Sequence, residues 1–222
     1  MARPPRIDVG GEIYHVINRA NGRLKIFESQ AMYAEFESLL KEIKYLFEID
    51  ILAFVIMPNH WHLLVRPKED GDLAKAMHWL TSTHTRRFHT KTGTIGAGHL
   101  YQGRYKSFLV QDDIHLLTVL KYIERNAVRA RLCSKAEGWK WGSAYHRHTS
   151  DLTLLSPLPV ILPADYIAWI NTPEQAEQLK EVRQSIEKGL LYGGSQWQQA
   201  MIQRHSMSEM LKVERQNITT QI

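Results

Sequence analysis

Ile49-Asp50-Ile51-Leu52-Ala53-Phe54-Val55-Ile56-Met57-Pro58-Asn59-His60-Trp61-His62-Leu63-Leu64-Val65 is the stretch on which the fold turns. From Ile49 to Met57 it is apolar but for one aspartate, the pattern of a buried central strand, and Pro58-Asn59 is turn chemistry. His60 to Val65 is short enough, and close enough, to pair back as a hairpin. Strand residues two apart share a face at a spacing of roughly 7 Å. His60 and His62 therefore stand side by side while Trp61 and Leu63 face the other way. Two imidazoles so spaced can chelate one divalent ion. The supporting apolar strand and tight turn favour that use over a pair of polar residues on a solvated face.

Upstream, Glu12 to Asn18 is β-branched and aromatic and predicts a first strand. Ser29 then caps a helical period of Met32, Phe36, Leu39, Leu40, Ile43 and Phe47. Downstream, Asp72 to about His89 carries Leu73, Met77, Leu80, His84 and Phe88 at helical spacing. A glycine-rich loop, Gly93 to Gly98, leads into a strand around Tyr101 to Val110, and a third helix starts near Asp112-Asp113 and runs to about Arg131. The order β-α-β-β-α-β-α predicts an α+β fold: a split βαβ arrangement with helices on one face of an antiparallel sheet. Beyond Ser150 the run from Ser156 to Pro163 suits neither a regular helix nor an inner strand and reads as a linker. Pro173 to Leu191 and Ser195 to Gln216 are Gln- and Glu-rich and helical in pattern. The expected organisation is a domain over 1–150, then a linker and a mostly helical C-terminal extension over 151–222.

The third helix adds a second set of polar groups. Tyr122 and Asn126 are four apart and Arg129 three further on, so they share one stripe. Leu116, Leu120, Ile123, Ala127 and Ala130 form the buried seam beside it. The stripe flanks the core face and can look toward the sheet edge. On the helix alone Tyr122 reads as a packing residue with its hydroxyl at the boundary.

Composition limits the function classes. With 222 residues, 44% hydrophobic and 23% charged, the chain is long enough and apolar enough to bury a core. No apolar run reaches the roughly 18 residues of a membrane span, and Met1 to Gly11 lacks the apolar stretch of a signal peptide. The single cysteine, Cys133, excludes an intramolecular disulfide and a Cys-rich zinc module, and points to a reducing compartment. A cytoplasmic, nucleoid-associated protein is expected. Residues 151–222 hold six Lys and Arg against eight Asp and Glu, so of the net +5 the first 150 residues carry about +7. A basic domain suits a polyanion through phosphate neutralisation.

Three runs resemble the signature segments of the transposase family associated with repetitive extragenic palindromes (REPs), a branch of the HUH single-tyrosine transposases. They are Phe54 to Val65 (FVIMPNHWHLLV), Gly98 to Val110 (GHLYQGRYKSFLV) and Tyr122 to Leu132 (YIERNAVRARL). Tyr14 to Arg19 (YHVINR) with Asn21 resembles the family's first strand, so the likeness covers most of residues 12–132 in the family's order. The resemblance implies a ferredoxin-like palm, a Mg²⁺ or Mn²⁺ cofactor and single-stranded or hairpin DNA as partner. It implies His60 and His62 as metal ligands, Tyr122 as nucleophile and Asn126 as the polar group completing the metal site. Ala127 stands where the family usually has proline and Arg131 where it usually has glycine. These departures bear on helix geometry and remove no reacting group.

The chemistry suits those residue types. A phenol is a poor nucleophile at neutral pH, its reference pKa being about 10, but phenolate attacks well and leaves well. Attack on a phosphodiester would leave a 5′-phosphotyrosine link and a free 3′-OH, conserving bond energy so that strands reseal without ATP. Arg104 and Lys106 alternate with Tyr101, Tyr105 and Phe108, a pattern that can grip single strands by phosphate contact and base stacking. Asn18, Arg19 and Arg129 are further DNA-contact candidates. A catalytically silent DNA- or RNA-binding regulator of the same fold is the alternative, against which the intact His60, His62, Tyr122 and Asn126 argue. A hydrolase of small phosphate esters would need more carboxylate ligands, and the glycine-rich loop lacks the Gly-Lys-Ser/Thr of a P-loop. His146 and His148 repeat the His-x-His spacing but fall in a polar loop. Trp139 and Trp141 read as pins of the chain onto the core, and Trp197 as either a base contact or a packing residue. Monomer and homodimer remain open.

Overall fold

Alternating and continuous apolar runs assemble into the predicted order. The computed structural model describes residues 8–204. It contains β1 (Ile13–Arg19), α1 (Gln30–Leu46), β2 (Asp50–Met57), β3 (His60–Arg66), α2 (Asp72–Thr92), β4 (Lys106–Val110), α3 (Ile114–Glu124) and α4 (Asn126–Arg129). Further helices include α5 (Ser143–His148), α6 (Tyr166–Asn171) and α7 (Ala176–Lys188). The strands form one antiparallel sheet in the order β2-β3-β1-β4, the ferredoxin-like palm. Met57 pairs with His60 across the Pro58-Asn59 turn, as the hairpin reading requires.

That turn is fixed from outside. The Pro58 carbonyl accepts from the Ile26 and Phe27 N–H groups at 2.8 and 3.1 Å, and the Asn59 carbonyl accepts from Ala20 N–H at 2.9 Å. The start of β3, and with it His60, therefore sits on a braced platform.

Helices α1 and α2 share one face, where Phe36, Leu39, Leu40, Ile43, Met77 and Leu80 pack on Val16, Phe54, Ile56, Trp61, Leu63 and Val65. On the opposite face α3, α4 and α7 cover Leu52, Val55, Leu64, Phe108 and Val110. The sequence order predicts helices on one face only; both faces are covered because β2 and β3 bury apolar residues on both sides. Ser29 caps α1 by accepting from Met32 N–H, and Asp113 caps α3 by accepting from His115 N–H at 2.8 Å.

The structure departs from expectation in several places. Strand β4 begins at Lys106 rather than near Tyr101, which makes only an isolated bridge to Ala20. Tyr101 turns inward instead, its hydroxyl accepting from Trp61 Nε1 at 3.0 Å and bonded to His84 Nδ1 at 2.7 Å. The third helix bends at Arg125 (φ −87°, ψ 1°), so that Asn126–Arg129 forms a separate turn. It closes with Leu132 N–H on the Ala127 carbonyl and Arg131 N–H on the Val128 carbonyl, which places Arg131 at φ +57°. Glycine takes that left-handed position without strain and arginine does not.

Finally, the segment after Ser150 is welded to the palm. Ser156 N–H bonds the Ile51 carbonyl at 2.8 Å, and Leu158, Val160 and Leu162 pack on the α3 side of the core. Tyr192 exchanges backbone bonds of 2.9 Å with Leu109 and Gln111, continuing the sheet beyond β4. Trp197 packs against the core on a glycine: a Cβ at Gly193 would lie 2.4 Å from its ring. Trp139 donates Nε1–H to the Ile56 carbonyl at 3.0 Å, and Trp141 stacks on Tyr33, so this pair pins the chain onto the core. His146 lies on α5 rather than in a loop and bonds Glu37 at 2.6 Å. Residues 195–204 are helical. The basic residues of 1–7 and the rest of the helical pattern expected to Gln216 lie outside the described residues. Among the described residues no helix is long and apolar enough to cross a membrane.

Candidate active site

Strand parity decides what meets here. Arg19 pairs with His60, and Ile17 with both His62 and Lys106, so Arg19, His60, His62 and Lys106 lie on the face covered by α3. Across that face the ring of Tyr122 stands edge-on to His62, with centroids 5.7 Å apart. The Asn126 side chain, one helical turn on, hydrogen-bonds His60. His60, His62, Tyr122 and Asn126, about sixty positions apart in sequence, are thus brought into one small site.

Each histidine has one nitrogen committed to the protein. His60 Nδ1 is 2.7 Å from Asn59 Oδ1, an acceptor, so Nδ1 carries the proton and Nε2 is left with its lone pair. The Asn59 amide is oriented by its Nδ2–H, which donates to the Arg23 carbonyl at 3.4 Å. His62 Nδ1 shares a 2.8 Å hydrogen bond with His15 Nε2. The rings of His60 and His62 are 5.2 Å apart. Burial holds His60 down at about 4, helped by the Arg19 charge and opposed by the Asn126 bond. Burial also holds His62 well below the ordinary histidine range, with His15 and His60 adding to it. Neutral imidazoles are the ligating form. The donors therefore fit a divalent ion: two neutral imidazoles, each held through Nδ1, and the Asn126 carboxamide, which an ion would have to draw from its bond to His60. Among the described residues no group of three or more His, Cys, Asp or Glu is arranged to hold a metal, so an ion here would rely on this mixed set.

Tyr122 is held by Arg129, whose guanidinium lies over its ring at 4.2 Å and donates Nη2–H to the Tyr122 carbonyl at 2.6 Å. The other arm of Arg129 pairs with Glu174, which also binds Arg125 Nε at 2.8 Å. Glu174 comes from the polar segment before α7, where nothing in the sequence singled it out. The hydrogen-bonding groups of Arg129 are thus directed into the protein.

The other DNA-contact candidates divide. Arg104 and Lys106 are exposed at the start of β4, and Arg19 is exposed at the end of β1. Asn18 is buried on the opposite face, paired with Trp61; its Oδ1 accepts from Arg19 N–H at 2.9 Å and its Nδ2 reaches the Gly103 carbonyl at 3.4 Å. Tyr101, Tyr105 and Phe108 are all buried, so these rings belong to the core and not to a base-stacking platform. The alternation is one of exposure and not of sheet face, since Lys106 and Phe108 share a face and only Phe108 is buried.

A split βαβ palm that sets a His-x-His pair against a helix-borne tyrosine defines a class. The chain belongs to the IS200-like transposase family, whose profile matches residues 9–126, just over half of its length. Within that class its likeness is to REP-associated tyrosine transposases. A Haemophilus influenzae protein provisionally given that name is 27% identical over 121 residues, spanning 51% of this chain and 68% of that protein. A REP-associated tyrosine transposase solved bound to a REP hairpin superposes with a TM-score of 0.57, at 17% identity over 79% of this chain and 96% of that one. The second likeness establishes the shared fold.

Proposed function

We propose that the protein cleaves and rejoins single-stranded DNA of hairpin-forming palindromes through a 5′-phosphotyrosine link on Tyr122. The observation that carries this reading is the meeting of Tyr122 with His62 at a ring separation of 5.7 Å, beside His60 and Asn126. In the forward step the Tyr122 oxygen bonds to phosphorus, its proton passes to solvent, and the P–O3′ bond breaks to leave a 3′-OH. A 3′-OH from a second end attacks the same phosphorus and the phenolate departs, which rejoins DNA with no net bond energy spent.

His60, His62 and Asn126 would hold a Mg²⁺ or Mn²⁺ ion. When bound, such an ion polarises the phosphoryl oxygen and offsets charge in the transition state. Arg129 keeps the tyrosine ring in place through its stacked guanidinium. Arg19 and Lys106, on the same face as the histidines, and Arg104 beside them supply cations for the DNA backbone. Asn18 shapes the end of β1 from the opposite face.

The test is to incubate the protein with labelled single-stranded REP-type hairpin and Mn²⁺ and look for a covalent protein–DNA band. The band should form, and should be lost in excess EDTA and in His60→Ala and His62→Ala. A band that persists in EDTA contradicts the metal role. Tight hairpin binding with no band under any divalent ion points instead to a non-catalytic binder.

A further inference from the structure

His15 was read in sequence only as part of a strand, yet it is the residue that His62 touches. It pairs with Leu64 in the register, so it lies diagonally next to His62 on the same face. Both side chains are buried, and Nε2 of His15 is 2.8 Å from Nδ1 of His62. The far side of His15 packs on Phe108, with ring centroids 4.8 Å apart. Its Nδ1 is buried with no hydrogen-bond partner.

One proton lies between the two rings, and there are two ways to place it. If His15 donates, its own Nδ1 is a bare lone pair, and His62 must carry its proton on Nε2, the nitrogen an ion would need. If His62 donates, its Nε2 is free to ligate, and the second proton sits on His15 Nδ1 as an unpartnered buried N–H. An orphaned N–H is the more costly of the two defects. Local rules are broken in this way where a function repays it.

We propose that His15 is a positioning residue for the metal site: it accepts the Nδ1 proton of His62 and thereby fixes that ring with the Nε2 lone pair presented to the ion. Ligating histidines in general pass their second N–H to a partner that sets tautomer and orientation. Here the partner is a neutral imidazole on the neighbouring strand, clamped by Phe108 and sealed from water. The inference rests on the metal reading above, but it concerns a residue outside the His60, His62 and Asn126 set.

The experiment uses Mn²⁺ alone as the probe, titrated into the full chain by calorimetry and EPR, without DNA or turnover. His15→Leu, which keeps an apolar side chain in an apolar pocket, should weaken Mn²⁺ binding about tenfold or more. His15→Gln, which retains an acceptor near the Nε2 position, should recover most of the loss. In the Mg²⁺-saturated wild type, nitrogen-15 shifts should place the His62 and His15 protons each on Nδ1. Wild-type affinity in His15→Leu, or a proton on His15 Nε2 in the Mg²⁺-bound protein, overturns the proposal and leaves the metal site standing. Wild-type Mn²⁺ binding that is absent, or unchanged by His60→Ala, overturns the metal reading and this proposal together. The shift measurement needs no variant and so stands if His15→Leu fails to fold.

Discussion

Replacing Glu174 with glutamine removes one charge and leaves two cations without it. The carboxylate is 7% exposed and pairs with Arg125 and Arg129, whose side chains are 8% and 17% exposed. Breaking a buried pair by deleting one partner typically costs ~3–5 kcal/mol, because the remaining charge stays desolvated. Two features place Glu174→Gln near the lower bound. Arg125 keeps its bond to the Ile170 carbonyl, and Arg129 keeps the Tyr122 carbonyl and ring. A loss of about 3 kcal/mol lowers the Tm of a chain of this size by roughly 6–12 °C. Arg129 should also lose its fixed place over Tyr122, so covalent-adduct formation should slow more than hairpin affinity falls. Thermal unfolding, urea titration and single-turnover cleavage read these effects, with exposed Glu177→Gln as a control expected within about 0.5 kcal/mol of wild type. A stability change for Glu174→Gln as small as the control's would refute the view that Glu174 ties the C-terminal segment to Arg129 and Tyr122.

Further expectations follow from the same geometry. Arg131→Gly relieves a left-handed residue at the end of α4 and should raise stability by ~0.5–1 kcal/mol in urea; a loss would contradict the strain reading. Burial holds His84 at about 3, against about 6.5 in an unfolded chain. As pH falls from about 6.5 toward 3, the unfolded state takes up a proton that the folded state refuses, so this group's share of stability is lost across that window at up to ~1.4 kcal/mol per pH unit. His84→Gln should flatten the acid limb of the stability curve by about that slope, and an unchanged slope would exclude His84 as a contributor. Changing Arg104 and Lys106 together to alanine should weaken hairpin binding across unrelated sequences and reduce the log affinity against log salt slope by about one to two units. Cleavage at saturating DNA should survive, and an unaltered salt slope would move the binding surface elsewhere.

How much was legible in the sequence depends on whether the signal was local. The β2–β3 hairpin, the Ser29 cap, the start of the third helix near Asp113 and the pairing of His60 with His62 rest on neighbours a few residues apart, and each is in the structure. That Tyr122 and Asn126 share a stripe was legible from local helical spacing, but on the helix alone Tyr122 read as a packing residue, and the roles of both came from the resemblance. His15 was not singled out: a lone polar residue in an apolar strand gives no partner until the β1–β3 register is known. Its one signal was a histidine alternating with Ile13 and Ile17 on a face otherwise fit for burial. Glu174 left less trace, since a glutamate in a Gln- and Glu-rich stretch looks solvated, and only the docking of that stretch against α3 buries it. Tyr101 and Tyr105 misled for the opposite reason. Aromatic and basic residues alternate in a DNA-gripping strand and in an edge strand packed on a core, and burial alone separates the two. The sequence order places helices on one sheet face only, although β2 is buried on both. Which elements cover the second face, α3, α4 and α7, is a matter of tertiary docking.

The central claim is that Tyr122 forms the bond to DNA, and identifying the modified residue tests it most directly. Wild-type protein is allowed to react with a 5′-extended single-stranded hairpin in Mn²⁺, the adduct is digested with protease and nuclease, and the nucleotide-bearing peptide is located by mass spectrometry. The account predicts a phosphonucleotide on the peptide containing Tyr122, and no adduct from Tyr122→Phe, which keeps the ring against His62 and Arg129 but lacks the attacking oxygen. A nucleotide found on any other residue, or an adduct formed undiminished by Tyr122→Phe, would contradict it.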